Sequence, residues 1–306
     1  QYGKKAGLAC IGPPGERVQL LSCVINDKGR AAGRSGLGAV MGSKKLKAIV
    51  AVGDAKVPLA DPDGMKEAIA KHRGFLKAQG FTDVLSKYGT SGLTAAACAS
   101  GDTPIKNWGG VPDDFPTAGK ISDDEVLAIQ KRKFACWRCP IGCGGETVVE
   151  EGPFASHNHK PEYETLGAFG TMCLNDNLAS INLCNEICNR AGLDTISTAC
   201  TIAFAIECYE NGIITDEDTG GIQLTWGNAQ AIAALTRQIA DGAGFGKVLG
   251  DGAKVAAERI GKGAEQYAIH VGGEEIPMHD PRLNPGLATS YKMDATPGRH
   301  TQMSAW

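Results

Sequence analysis

Cys136, Cys139 and Cys143 are the residues of this chain whose spacing points most directly to chemistry. They stand in the run Cys136, Trp137, Arg138, Cys139, Pro140, Ile141, Gly142, Cys143, with two and then three residues between the thiols. Such a loop can turn three thiolates onto one compact metal centre. Pro140, Gly142, Gly144 and Gly145 let the backbone wrap a large object and offer amides to its sulfurs. A structural zinc site calls for two separated pairs or added histidines, and no second Cys-x-x-Cys occurs. An iron–sulfur cluster is therefore expected, against the alternatives of zinc or plain buried thiols. A four-iron cluster needs a fourth ligand, which is expected beyond Trp306.

Other residues could serve a ligand. Residues 33–42 form a glycine-rich stretch in which Arg34 could clamp phosphate while the amides near Ser35, Gly36 and Gly38 approach it closely. Read alone it is more simply a turn, and it lacks the P-loop pattern. Asn189, Gly192, Leu193 and Asp194 read as a helix end with a glycine C-cap, followed by an aspartate N-cap. Glu162 and Glu164 flank Tyr163 in an otherwise apolar block. Such a glutamate is either a solvated or paired carboxylate or, inside a pocket, a general base. His300 follows a Pro-Gly turn, and a lone histidine is more often structural than functional. His157 and His159 could line a substrate channel, bind a metal or simply be exposed, and exposure is the preferred reading.

The elements that position these groups are legible in part. Residues 18–25 and 47–52 read as strands around a turn-rich segment at 26–38. Helical spacing of apolar residues predicts helices over 65–78, 123–131, 177–191, 197–211, 229–241 and 245–260, several of them ending at glycine. The fold class is α+β: residues 1–55 as the glycine-rich end of a β-rich domain, and residues 56–306 as a predominantly helical body. The chain has 306 residues, 42% of them hydrophobic, and a formal charge of −3. It has the volume for two cores and no basic excess for nucleic acid. No apolar run reaches membrane-spanning length. Eleven cysteines, an odd number with no secretion signal, argue against a disulfide framework and for a reduced, cytoplasmic, anaerobic setting. The start at Gln1, without an initiator Met, implies sequence upstream.

Four blocks in order resemble the tungsten-containing aldehyde:ferredoxin oxidoreductase family. They are residues 33–44 (Gly-Arg-Ser-Gly-Leu-Gly-Ala-Val-Met-Gly-Ser-Lys) continued by Leu46, Lys47, Ala48 and Ile49; the cysteine loop; Pro161, Glu162, Tyr163, Glu164, Thr165, Leu166 and Gly167; and residues 191–197 (Ala-Gly-Leu-Asp-Thr-Ile-Ser). Relative to the family, the start of the β domain and the C-terminal third are absent. The resemblance implies tungsten held by two pterins, with molybdenum as the alternative metal, magnesium bridging the pterin phosphates, and one 4Fe-4S cluster on Cys136, Cys139 and Cys143. It places Arg34, Ser35, Gly36 and Gly38 near a pterin phosphate, and Asn189, Leu193 and Asp194 on a pterin. Asn189 stands where the family carries an acid, so that contact is uncharged. Glu164 is implied as the active-site carboxylate, Glu162 as its alternate and His300 as the active-site histidine. The implied reaction oxidises a small aldehyde and delivers electrons to ferredoxin or a dedicated partner subunit, within an oligomer. The rivals are the tungsten subunit of a benzoyl-coenzyme A reductase and a non-enzymatic iron–sulfur carrier.

Overall fold

The N-terminal sheet is antiparallel, in the order β3-β2-β1-β4, and consists of β1 (Gly7–Cys10), β2 (Val24–Asn26), β3 (Arg30–Ala32) and β4 (Ala48–Ala51). The computed structural model describes residue 3, residues 6–27 and residues 29–301; Lys28, inside the expected turn, lies outside them. The strand expected over residues 18–25 shortens to β2. The main chain before it is engaged elsewhere: Leu21 N–H donates to the Gly250 carbonyl at 3.3 Å, and Cys23 N–H to that of Gly192 at 2.8 Å.

The glycine-rich stretch is also more than a turn. After short helix α1 (Pro13–Glu16), residues 37–43 wind into α2 (Leu37–Ser43), entered through Gly36 at φ 62°. A Cβ at Gly38 would come within 2.7 Å of the Cys23 nitrogen, and one at Gly42 would overlap the Gly15 carbonyl. These two glycines are needed for close backbone packing.

The body is helical. Its first part holds α3 (Pro62–Ala78), α4 (Gly80–Tyr88), α5 (Thr94–Ser100) and α6 (Asp123–Ala128). The helix expected over 123–131 stops at Ala128, and the chain continues into β5 (Gln130–Phe134). That strand forms an antiparallel sheet with β6 (Gly144–Val149) and β7 (Ser156–His159), which the sequence reading did not foresee. Then come α7 (Tyr163–Phe169), α8 (Leu178–Ala191), α9 (Thr195–Glu210), α10 (Asp216–Thr219), α11 (Ala229–Asp241), α12 (Gly246–Leu249) and α13 (Gly252–Ile260). The helix expected over 245–260 is thus two, broken at Gly250 and Asp251; α13 starts at Gly252, whose φ of 89° is left-handed. The hairpin β8 (His270–Val271) and β9 (Glu274–Glu275) and helix α14 (Pro285–Met293) complete the described chain.

Caps fix the helices that matter. The Asn177 side chain accepts from Ser180 N–H to start α8, Gly192 at φ 74° ends it, and Asp194 accepts from Ile196 N–H to start α9. Helix α9 is buried nearly all round, as an apolar helix at the centre of a core must be. Its own Phe204 and, from neighbouring helices, Phe169, Ile181 and Leu235 are fully buried, each such side chain contributing about 1.5–3 kcal/mol. Cys173, Cys184, Cys188, Cys200 and Cys208 pack there as small hydrophobes, and burial pushes their thiols up in pKa. The fold is α+β. Among the described residues, no helix is long and apolar enough to cross a membrane.

Candidate active site

A cavity of about 630 Å³ opens where β3, the start of α7, the α8–α9 junction and the C-terminal segment meet. Eight residues singled out in the sequence line it: Arg34, His159, Glu162, Glu164, Asn189, Leu193, Asp194 and His300. Three candidates of the glycine-rich stretch do not. Ser35 and Gly36 line a neighbouring cavity of about 340 Å³, and Gly38 is packed against Cys23.

Glu164 lies in the first turn of α7. Its Oε2 accepts from Met278 N–H at 2.9 Å. Its Oε1 stands 3.4 Å from His300 Nε2 and 3.5 Å from His279 Nε2. His279 Nδ1 is 2.7 Å from Asp102 Oδ2, and its ring leans on that of Tyr163 at 4.9 Å. The two histidines differ in charge preference. Burial works against protonation of His279, but the hydrogen bond to Asp102 and the charges of Glu164 and Asp102 outweigh it and raise its pKa. Burial lowers the pKa of His300; Glu164 opposes this, and the charges of His279, Arg34 and Arg299 reinforce it.

Arg34 is 5% exposed. Its Nε donates to Glu274 Oε1 at 2.8 Å, Nη2 donates to the Glu275 carbonyl, and Asp194 Oδ2 lies 3.8 Å away. The Ser35 amide and hydroxyl also bind the Glu274 carboxylate, at 3.0 and 3.2 Å. An internal carboxylate therefore occupies the cradle that the sequence offers to phosphate. Burial raises the pKa of the Asp194 carboxyl, and Arg34 opposes this. Asn189 donates towards the amide oxygens of Asn185 and Asn158, at 3.2 and 3.4 Å.

The opposite wall is cationic. Arg30 Nη1 pairs with Glu162 Oε1 at 2.8 Å, and Thr90 donates to Glu162 Oε2 at 2.6 Å. Both oxygens of Glu162 are thus engaged, and Glu162 N-caps α7 in position. Lys160, only 1% exposed, donates to the Tyr88 carbonyl at 2.6 Å, and burial lowers its pKa. His157 is exposed as expected, whereas His159 is half-buried on β7 and lines the cavity.

The cysteine loop joins β5 to β6 beside this wall. Cys136 is exposed, while Cys139 and Cys143 are half-buried. Cys139 N–H closes a turn on the Cys136 carbonyl at 3.0 Å, and Arg138 and Gly142 take φ of 57° and 67°. Burial raises the Cys143 pKa; Glu162 adds to this, Arg30 opposes it, and the other two thiols are near enough to add their own push. Among the described residues, no group of three or more His, Cys, Asp or Glu side chains is set to hold a single metal ion. In a four-iron cluster each thiolate serves a different iron, so its cysteines need not form such a group.

The cavity fits a large anion. Arg34 Nη1, Arg30 Nε and Arg30 Nη2 are buried and have no hydrogen-bond partner. A buried donor left unmatched costs about 1–3 kcal/mol, which phosphate oxygens would relieve.

Sequence comparison identifies the family. Residues 67–306 match the family model for domains 2 and 3 of aldehyde ferredoxin oxidoreductase, and residues 1–53 match the model for its N-terminal domain. The chain belongs to the aldehyde ferredoxin oxidoreductase family. It is 37% identical over 304 residues to a tungsten-containing aldehyde ferredoxin oxidoreductase of Pyrococcus furiosus, covering 97% of this chain and 48% of the relative. It is 31% identical over 311 residues to the WOR-like subunit of an aliphatic sulfonate oxidoreductase of the same organism, covering 99% of this chain and 49% of that relative. The chain thus spans about half the length of the curated relatives it matches. A solved active-site complex BamBC of benzoyl coenzyme A reductase shares the fold, with a TM-score of 0.77 at 23% identity over 95% of this chain and 46% of that one.

Within this oxidoreductase family framework, the sequence reading missed His279, Asp102, Arg30 and Lys160. His279 sits in the run Pro277, Met278, His279, Asp280, Pro281, whose two prolines mark a fixed loop, but nothing local ties it to Asp102.

Proposed function

We propose that this chain forms the substrate wall and the electron exit of a tungstopterin enzyme that oxidises aldehydes to carboxylic acids. Aldehyde and water yield carboxylic acid, two protons and two electrons. Tungsten held by two pterin dithiolenes, with molybdenum as the alternative metal, supplies the two-electron acceptor. The residues of this chain do the rest. Arg34 Nη1 and the free nitrogens of Arg30 would meet the pterin phosphates, with magnesium sharing their charge. His300 is a neutral imidazole and donates to the aldehyde oxygen. Glu164 Oε1 takes the proton released as water adds to the carbonyl. Cys136, Cys139 and Cys143 would hold a 4Fe-4S cluster, which would supply one-electron transfer to ferredoxin or a partner subunit.

The supporting observation is one contact. Glu164 and His300 are far apart in sequence, yet they meet at 3.4 Å on the wall of a cavity that also presents an unmatched guanidinium nitrogen. The test uses the purified full-length protein, with metal analysis and aldehyde-dependent reduction of a viologen dye. Tungsten with iron and aldehyde-dependent reduction are expected. Glu164→Gln should then lose about a hundredfold or more in turnover while keeping both metals. Iron without tungsten would leave only an electron carrier, and reduction of an aryl-coenzyme A thioester without aldehyde oxidation would move the reading to a ring reductase.

A further inference from the structure

The loop carrying His279 is held more firmly than packing alone requires. Met278 N–H donates to Glu164 Oε2 at 2.9 Å, and the Tyr163 hydroxyl donates to the Met278 carbonyl. Asp280 N–H donates to the Asp102 carbonyl at 2.7 Å, and the Tyr291 hydroxyl to the His279 carbonyl at 3.1 Å. These bonds hold the main chain of residues 278–280, and the imidazole it carries lies between two carboxylates, Asp102 on Nδ1 and Glu164 on Nε2. His300 reaches the same Glu164 oxygen from the other side, with 5.7 Å between the two histidine rings.

We propose that His279, clamped by Asp102, is the cationic positioning residue of this cavity. It holds Glu164 Oε1 in place by charge and leaves His300 as the neutral donor to substrate. The arrangement has an electrostatic logic. Two imidazoles on one carboxylate oxygen cannot both be protonated at little cost, so a second carboxylate decides which of them carries the proton. Of the two imidazoles, it is His279 that the Asp102 carboxylate pairs with, at 2.7 Å. The other groups facing His279 do not compete. The phenols of Tyr163 and Tyr291 are pushed far up by burial and remain neutral, and Asp280 is paired with Arg282 at 2.6 Å. Arg34 and Arg299 act on His300, making its protonation harder still. Neither the established family membership nor the sequence reading assigns His279 or Asp102 a part.

The role in turnover rests on the proposed aldehyde oxidation, but the charge assignment does not, and the experiment separates the two. Hydrogen–deuterium exchange at the imidazole C2 position, followed by mass spectrometry across a pH series on the full-length holoenzyme, gives a titration midpoint for each histidine without substrate. The His279 midpoint should lie above the ordinary value of about 6.5 and that of His300 below it. Asp102→Asn should lower the His279 midpoint by about one unit or more, Asp102→Glu should restore it, and His279→Gln should raise the midpoint of His300. In turnover, the alkaline limb of the kcat/KM profile should move to lower pH in Asp102→Asn, because the cation is then lost sooner as pH rises. A merely structural Asp102 would lower the melting temperature without moving that limb. A His279 midpoint at or below that of His300 in the wild-type protein overturns the proposal, even if neither variant folds. Normal midpoints without aldehyde oxidation would leave the charge assignment standing and remove only the reaction.

Discussion

At the scale of the residue, the Arg34 guanidinium shows how one side chain divides its valence. Nε and Nη2 are bound to Glu274 and Glu275, while Nη1 has no partner. Truncation would strand Glu274 and Asp194 and confuse loss of fold with loss of ligand, since breaking a buried pair costs about 3–5 kcal/mol. Arg34→Lys is the cleaner test: it keeps the charge beside both carboxylates and removes the fork. We expect pterin and tungsten content to fall severalfold while the melting temperature changes by only a few degrees; an equal loss of both would make Arg34 purely structural. His279 adds a dependence on pH. Its folded pKa is raised, so its contribution to stability is fully present below the unfolded value of about 6.5 and is lost as pH rises through the folded value. Melting curves should show that loss in the wild-type protein and a smaller one in His279→Gln. Glu164 and His300 were legible because they sit in blocks that resemble a known family. Asp102 was not, because an aspartate after a glycine turn carries no mark of the histidine it meets across the fold.

At the scale of the element, legibility followed periodicity. Helices α8, α9 and α11 announce themselves by apolar spacing and by glycine or asparagine at their ends, and the structure places them within a few residues of where spacing puts them. Strand β5 reads Gln-Lys-Arg-Lys-Phe, mostly charged and exposed, with a register irregularity between Gln130 and Arg132. Neither alternation nor hydrophobicity reveals it, and its partner β6 lies across the cysteine loop. The short helix α2 was hidden by its glycines, which read as turn signals but serve close approach. Gly42→Ala should therefore be costly, because its Cβ would overlap the Gly15 carbonyl and push α1 and α2 apart. A loss of about 1–3 kcal/mol by urea titration is expected, whereas the same change at exposed Gly53, with nothing within 4 Å, should be nearly neutral.

At the scale of the whole molecule, the buried core runs through the helical body, and the cysteine loop hangs at its edge with Trp137 85% exposed. Replacing Cys136, Cys139 and Cys143 together by serine should thus strip iron while leaving the main calorimetric transition of the body close to its wild-type temperature; a large fall would show that the loop is part of the folding unit. The two halves of the cavity belong to distant parts of the chain and are joined by main chain. Asp194 N–H donates to the Leu21 carbonyl at 2.9 Å, Cys23 N–H to that of Gly192 at 2.8 Å, and Ser22 bridges to Leu193. A seam of this kind is made by main chain, and it depends on side chains only where one would intrude, as at Gly38 and at left-handed Gly192. A change of residue type that spares those glycines leaves the seam intact, whereas a change in the number of residues does not. What the seam meters is spacing: a single residue gained or lost between Leu21 and Cys23, or between Gly192 and Asp194, would shift every later carbonyl out of register and carry the Asp194 carboxylate away from Arg34.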